Sequence, residues 1–278
     1  MSIYQGEVAV ITGAARGIGR AIAKRCAQEG MCLILADYSP DPLQEVAHEL
    51  KENGAEAIAV KTDVTVFEEV KHLARKSYET FGQVNLLVNN AGVVAPGSVL
   101  KQSIQDWRWM FAVNFYGVLH GFQAFLPRML AQNSNSRIVS TGSIAGVTTA
   151  GRAYDVSKHA VVALSEAYYL ELAKQGIQKV RVSVLCPGWV ITDLDKSERS
   201  RPPQFSEESS SISNDTRKRF RTLLDGGFTP EKTAAILFDG MEQDKLYIGP
   251  EAFEELMSGI QFAIKQRGIN IADETNPA

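Results

Sequence analysis

The chain has 278 residues, of which 45% are hydrophobic and 22% charged, and a net charge of −3. This is ordinary globular composition, which excludes disorder, collagen and coiled coil as descriptions of the whole. A mildly acidic chain also lacks the electrostatic footprint of a nucleic-acid or anionic-membrane binder. Three cysteines, Cys26, Cys32 and Cys186, are an odd number without metal-ligand spacing. They predict free thiols in a reducing, cytoplasmic setting, and four dispersed histidines predict no metal site. No apolar run reaches the ~20 residues of a membrane span, and the N-terminus lacks the basic-then-apolar order of a secretion signal.

In chain order, short apolar runs alternate with longer amphipathic stretches. Strands are expected over 8–12, 32–36, 57–60, 86–88, 137–140, 180–185 and 246–248. Helices are expected over 17–29, 42–53, 66–81, 104–131 and 154–174. Continuous apolar runs, rather than strict alternation, suit strands buried on both faces of a parallel sheet. The alternation predicts an α/β fold: a Rossmann-type, doubly wound, seven-stranded and mostly parallel sheet with helices on both faces. No linker divides it, so residues 1–278 are expected to form one domain, with a helical extension over about 250–278. The stretch 193–228 breaks the rhythm, with Pro202-Pro203 and Ser209-Ser210-Ser211 among mixed charges. It is either a surface excursion or a lid hinged at Gly226-Gly227. Thr229-Pro230-Glu231-Lys232 after it reads as a helix start.

The run Thr12-Gly13-Ala14-Ala15-Arg16-Gly17-Ile18-Gly19 leaves the first strand and opens the first helix. Glycines allow a sharp turn and the close approach of a pyrophosphate to the helix N-terminus, whose free N–H groups favour anions. Asp37 stands at the end of the second strand, 18 residues beyond Gly19, near the ~20 expected of a carboxylate that holds an adenosine ribose. That carboxylate accepts hydrogen bonds from a 2′-hydroxyl and repels a 2′-phosphate, so NAD is favoured over NADP. Arg16 is the contrary signal.

Tyr154 and Lys158 lie four apart at the start of a predicted helix and so share a face. A free tyrosine has a pKa near ~10, and a nearby ammonium stabilises its phenolate, which makes it a usable acid/base. Ser143, just past the fifth strand, is placed to hold a substrate oxygen beside Tyr154.

With these residues the chain resembles the short-chain dehydrogenase/reductase family. The likeness covers about residues 5–192 and rests on Thr12–Gly19, Asp63-Val64, Asn89-Asn90-Ala91-Gly92, Asn114, Ser143, Tyr154, Lys158 and Pro187-Gly188 through Thr192. The resemblance implies that Gly13, Arg16, Gly17, Ile18, Gly19 and Asp37 bind the cofactor. It implies that Asp63 binds the adenine amino group, with Val64 lining that site. Asn90, Ala91 and Gly92 would border the cofactor and stabilise the sheet. Asn114 would kink its helix and hold, by its main-chain carbonyl, a water linked to Lys158. Ser143 would orient substrate, Tyr154 would be the general acid/base, and Lys158 would bind the nicotinamide ribose. Pro187, Gly188, Val190 and Thr192 would flank the nicotinamide.

The interval from Ser143 to Tyr154 is 11 residues, shorter than is usual in the family, which tightens the loop 147–152. Val93, Val94, Val147, Trp189 and the stretch 193–228 give a mostly apolar pocket and point to a hydrophobic cyclic or aromatic hydroxyl compound. Trp107 and Trp109 point to opposite sides of their helix, one toward the core. The helix bearing Tyr168-Tyr169 often forms a subunit face in the family, so a homodimer or homotetramer is implied. The alternatives are an NADPH-dependent ketone reductase and a non-catalytic dinucleotide sensor.

Overall fold

The computed structural model describes residues 2–148, 152–206, 214–251, 253 and 255–258. Seven parallel strands form one sheet: β1 (Val8–Thr12), β2 (Cys32–Asp37), β3 (Ala57–Lys61), β4 (Leu86–Asn89), β5 (Ser136–Thr141), β6 (Val180–Leu185) and β7 (Tyr247–Ile248). Their order is β3-β2-β1-β4-β5-β6-β7. The helices are α1 (Gly17–Gln28), α2 (Pro40–Glu52), α3 (Phe67–Phe81), α4 (Ile104–Met110), α5 (Gly117–Ala131), α6 (Ala153–Lys174), α7 (Asn214–Asp225) and α8 (Pro230–Glu242).

The alternation of side chains along a strand assigns each residue to one of two cores. Val8 and Val10 of β1 pack with Leu73 of α3, Phe122 and Phe125 of α5 and Val161 of α6. Ala9 and Ile11 turn the other way, toward Ile22 of α1, Leu43 of α2 and Leu237 and Phe238 of α8. Each Val, Ile, Leu or Phe among them, fully removed from water, contributes about 1.5–3 kcal/mol. Trp109 lies wholly within the first core, whereas Trp107 is partly buried and stacks on Phe111.

The single helix expected over 104–131 is interrupted. A wide π-helical stretch, Phe111–Tyr116, separates α4 from α5. Its cause is visible at Asn114, whose buried side chain is taken up by neighbours on both sides. Ser103 starts α4 with a capping box to Asp106. Thr229 caps α8 with Pro230 in its first turn, the helix start that the sequence predicts.

The stretch after β6 forms a 3₁₀ turn (Leu194–Ser200), a second short one (Pro203–Phe205) and then α7. Phe220 and Leu224 of α7 are buried, and Leu223 is exposed. At Gly226-Gly227, the hinge of the lid alternative, the second glycine is tightly packed. Gly227 packs so closely on Trp189 that a Cβ would collide with its carbonyl. Phe228 donates its N–H to the Trp189 carbonyl (2.9 Å) and accepts that of Ile191 (2.8 Å). Residues 207–213 and 149–151, and nearly all of the expected C-terminal extension, fall outside the described residues; residues 253 and 255–258 are helical. Among the described residues no helix is long and apolar enough to cross a membrane.

Candidate active site

The carboxyl ends of the strands open into a cavity of about 470 Å³. Along the sheet order, Asp63 and Val64 follow β3, Asp37 ends β2, and Gly13, Arg16, Gly17 and Ile18 follow β1. Asn90, Ala91 and Gly92 follow β4, Ser143 follows β5, and Pro187, Gly188, Val190 and Thr192 follow β6. β1 and β4 are neighbours from which the chain proceeds toward opposite edges. Ligands of open parallel sheets bind at such a reversal.

The turn from β1 to α1 is closed to side chains. Gly13 has a φ of +66°, and a Cβ there would come within 2.8 Å of the Ala91 Cα. A Cβ at Gly19 would collide with the Gly13 carbonyl oxygen, so Gly19 underlies the turn and does not line the cavity. The first turn of α1 has no acidic residue, and Arg16 supplies it no side-chain cap. Its N–H groups are therefore left for an anionic guest.

Asn90 locks this turn to the end of β4. Its Nδ2 donates to the carbonyls of Thr12 (2.9 Å) and Gly13 (3.2 Å). Thr12 Oγ1 in return accepts the N–H groups of Asn90 (3.0 Å) and Ala91 (3.1 Å).

Asp37 accepts the N–H groups of Ala15 (3.1 Å) and Ser39 (2.9 Å), one on each oxygen. Burial pushes its carboxyl above the ordinary value, while those two N–H groups and the Arg16 and Arg199 guanidiniums pull it back. Each oxygen retains a lone pair for a further donor, such as a ribose hydroxyl. Asp63 Oδ1 accepts from the Thr65 N–H (2.9 Å) and hydroxyl (2.7 Å). An adenosine diphosphate unit thus fits: a side-chain-free helix N-terminus for the anion, flanked by two acceptors.

At the other end, α6 carries Tyr154 and Lys158. Lys158 is 3% exposed and donates to the Thr141 carbonyl at 2.7 Å. Its Nζ lies 5.7 Å from the centre of the Tyr154 ring. Burial lowers the Lys158 ammonium to about 8. Burial also pushes the Tyr154 phenol up to about 12; hydrogen bonding to Ser143 pulls it back, Asp155 raises it and Arg152 lowers it. Desolvation dominates, and Lys158 aims its proton at Thr141. Despite the shortened interval, Ser143 reaches Tyr154. Ser143 Oγ also accepts the Ala145 N–H at 3.1 Å.

Asn114 does not line the cavity. Its Oδ1 accepts the Val93 N–H (2.8 Å), and its Nδ2 donates to the Val93 carbonyl (3.0 Å) and to Ser157 Oγ (2.9 Å). Ser157 Oγ in turn donates to the Tyr154 carbonyl at 2.7 Å. The π-helical residue therefore ties the segment after β4 that borders the cavity to the turn that carries Tyr154.

The apolar wall comes from Val94, Phe220 and Leu224, with Leu194 and Tyr154 against them. Trp189 meets Phe220 edge-on, with ring centres 5.7 Å apart. Val147, expected in this wall, packs instead with Val162, Val184, Cys186 and Phe253.

Sequence reasoning missed Arg152, Ser197 and Arg199, all of which line the cavity. Arg152 had one signal, its position two residues before Tyr154. Ser197 and Arg199 had none, because the stretch that holds them has no hydrophobic period. Ser197 Oγ accepts the Val94 N–H at 3.2 Å, and Arg201 anchors the same stretch from below by pairing with buried Asp106.

Residues 7–203 match the family model described as short chain dehydrogenase. The chain belongs to the short-chain dehydrogenase/reductase family. This family member is 31% identical over 255 residues to a CLA biosynthesis dehydrogenase/reductase of Lactiplantibacillus plantarum, covering 89% of each chain. It resembles the crystal structure of a short-chain dehydrogenase/reductase from Burkholderia phymatum in complex with NAD. The TM-score is 0.88 and the identity 37%, over 100% of this chain and 98% of that one. An alcohol dehydrogenase from the archaeon Thermococcus sibiricus, complexed with 5-hydroxy-NADP, matches with a TM-score of 0.71 and 28% identity, over 88% of this chain and 95% of that one. As a short-chain dehydrogenase/reductase the chain is an oxidoreductase, in a family that binds a dinucleotide and a small-molecule substrate. Its relatives include binders of both dinucleotide types.

Proposed function

We propose that this chain is an NAD-dependent dehydrogenase/reductase that interconverts a secondary alcohol and a ketone on a hydrophobic cyclic or aromatic compound. The observation that carries the reading is one cavity holding Ser143, Tyr154 and Lys158 beside a side-chain-free helix N-terminus and Asp37. Asp37, Asp63, the α1 N-terminus and Lys158 would hold the dinucleotide, which when bound supplies the hydride acceptor or donor. Tyr154 takes the hydroxyl proton in oxidation and returns it in reduction. Ser143 donates a hydrogen bond to the same oxygen as its charge changes. The Lys158 ammonium favours the phenolate and so the direction of oxidation. Asn114 and Ser157 hold the first turn of α6 in place. Trp189, Phe220, Leu224 and Val94 present apolar surface to the body of the substrate. The exposed Tyr169 and Leu170 of α6 support assembly into a dimer or tetramer.

One observation favours a second reading, an NADPH-dependent ketone reductase: two arginines, Arg16 and Arg199, act on Asp37. A panel of secondary alcohols with NAD or NADP, and of ketones with the reduced forms, followed by nicotinamide absorbance, decides. Turnover with NAD on cyclic or aromatic members is expected. Preference for NADP would establish the second reading. Tight dinucleotide binding with no turnover on any member would make the protein a sensor and overturn both.

A further inference from the structure

We infer that Arg199, on the 3₁₀ turn that follows β6, is a cofactor-binding residue that contacts the diphosphate of the dinucleotide. This deepens the dinucleotide-binding reading above and rests on it. Arg199 lines the cavity together with Gly13, Arg16, Gly17 and Asp37. The chain reaches that place through Thr192, whose methyl group packs against Gly17 at the start of α1, where a Cβ would lie 3.0 Å away. Asp193 follows, the turn Leu194–Ser200 doubles back, and Arg199 Nη1 comes to 3.3 Å from Asp193 Oδ2. The segment from β6 is thereby laid over the helix N-terminus that the fold offers to an anion.

Its neighbours leave Arg199 without a structural task. Ser197, inward by two residues, bonds the Val94 N–H. Arg201, two residues on, is 12% exposed and pairs with Asp106 at 2.8 Å. These two fix the turn. Arg199 instead shares a carboxylate that is already matched, because Lys196 Nζ stands 3.0 Å from Asp193 Oδ1. The Arg199 and Asp193 side chains are 36% and 37% exposed, so the pair is weak and exchangeable.

Two guanidiniums, Arg16 and Arg199, line this end of the cavity with Asp37, Asp63 and Asp193, and among the described residues Arg16 forms no ion pair. Guanidiniums beside a helix N-terminus with no acidic first turn can meet the two negative charges of a diphosphate. Arginine suits this task because its planar donors meet phosphate oxygens in pairs. Asp193 then acts against binding: it holds Arg199 when no anion is near and repels the anion that would take it.

The two partners of one ion pair should therefore have opposite effects, which a purely structural pair cannot produce. Calorimetric titration of the full-length protein with NAD, ADP, adenosine and 2′,5′-ADP tests this. Arg199→Gln should weaken NAD and ADP about tenfold, in the range of one part-exposed charge-assisted hydrogen bond, and leave adenosine unchanged. Arg199→Lys should recover part of the loss. Asp193→Asn should tighten NAD and ADP. Parallel weakening in Arg199→Gln and Asp193→Asn would mean that the pair only holds the turn, and would overturn the inference. So would unchanged affinity for ADP in Arg199→Gln, or a loss confined to 2′,5′-ADP, which would assign Arg199 to the ribose side. Failure of the native protein to bind NAD and NADP alike would instead overturn the dinucleotide reading itself.

Discussion

Replacing Arg201 by methionine should loosen the substrate wall without touching the groups that move the proton. Arg201 Nη2 is 2.8 Å from Asp106 Oδ1, with side chains 12% and 5% exposed. Its guanidinium lies 4.8 Å from the Trp109 ring centre, and its Nε donates to the Phe205 carbonyl at 3.0 Å. Asp106 commits its other oxygen to the Ser103 N–H at 2.9 Å, so loss of Arg201 leaves a buried carboxylate half satisfied. Removing one member of a buried pair costs about 3–5 kcal/mol. Here the cost is limited by local release, because Leu194–Phe205 can detach before the sheet unfolds. About 2–4 kcal/mol is expected, which raises the opening constant of this segment by about 30- to 1,000-fold. Leu194, Ser197, Ser200 and Pro202 line the cavity, so substrate KM should rise more than kcat falls. Amide hydrogen exchange across 194–205 reads the opening, and a double-mutant cycle with Asp106→Asn isolates the pair. Unchanged exchange in 194–205, with a fall in global stability alone, would refute the latch. Faster exchange with unaltered KM would show that the segment does not bound the substrate.

Tyr154→Phe should keep NAD affinity in titrations and lose about 10²–10⁴-fold in turnover, the usual contribution of a positioned acid/base. Asp37→Ala should narrow the ratio of kcat/KM with NAD to that with NADP, since both a ribose acceptor and a repelling charge disappear. In the native protein, kcat/KM for alcohol oxidation should climb with pH into the alkaline range, because burial holds the Tyr154 phenol high and the phenolate is the base. Ketone reduction should fall over the same range. Lys158→Met should lower turnover and weaken NAD binding together in titrations, since the proposed ribose-binding ammonium beside Tyr154 is gone.

Most strand and helix positions were legible because each carries a local cause. The β1 run Val8–Thr12 is buried at every position and apolar up to Ile11, since both faces are covered. Thr229-Pro230 announces α8 by capping chemistry alone. The break at Phe111–Tyr116 had no such local cue and was expected at Asn114 from the family resemblance alone. There the Asn114 side chain is held by the Val93 backbone and Ser157, partners 21 and 43 residues away in sequence. The packing at Gly226-Gly227 was hidden for a related reason. Glycine signals freedom when read alone, but here its missing Cβ admits the Trp189 backbone. The acidity of Tyr154 likewise depends on burial, which an i,i+4 spacing does not encode.

The two halves of the cavity are built by different forces, and this decides what a sequence can reveal of them. The dinucleotide half is made of strand ends and main-chain N–H groups, so its demands appear as short local patterns: glycines that exclude side chains, a carboxylate at a strand terminus. The substrate half is made of side chains brought in by α7 and the turns after β6, held by Arg201 on Asp106, Ser197 on Val94 and Phe228 on Trp189. None of these contacts follows a period, and any could be exchanged for another anchor without altering the sheet. A family can therefore keep one proton relay while its members change substrates through this stretch alone. In this chain the same stretch also brings one cation, Arg199, to the cavity. Under the inference drawn above, a change in this stretch would alter dinucleotide affinity as well as the apolar wall.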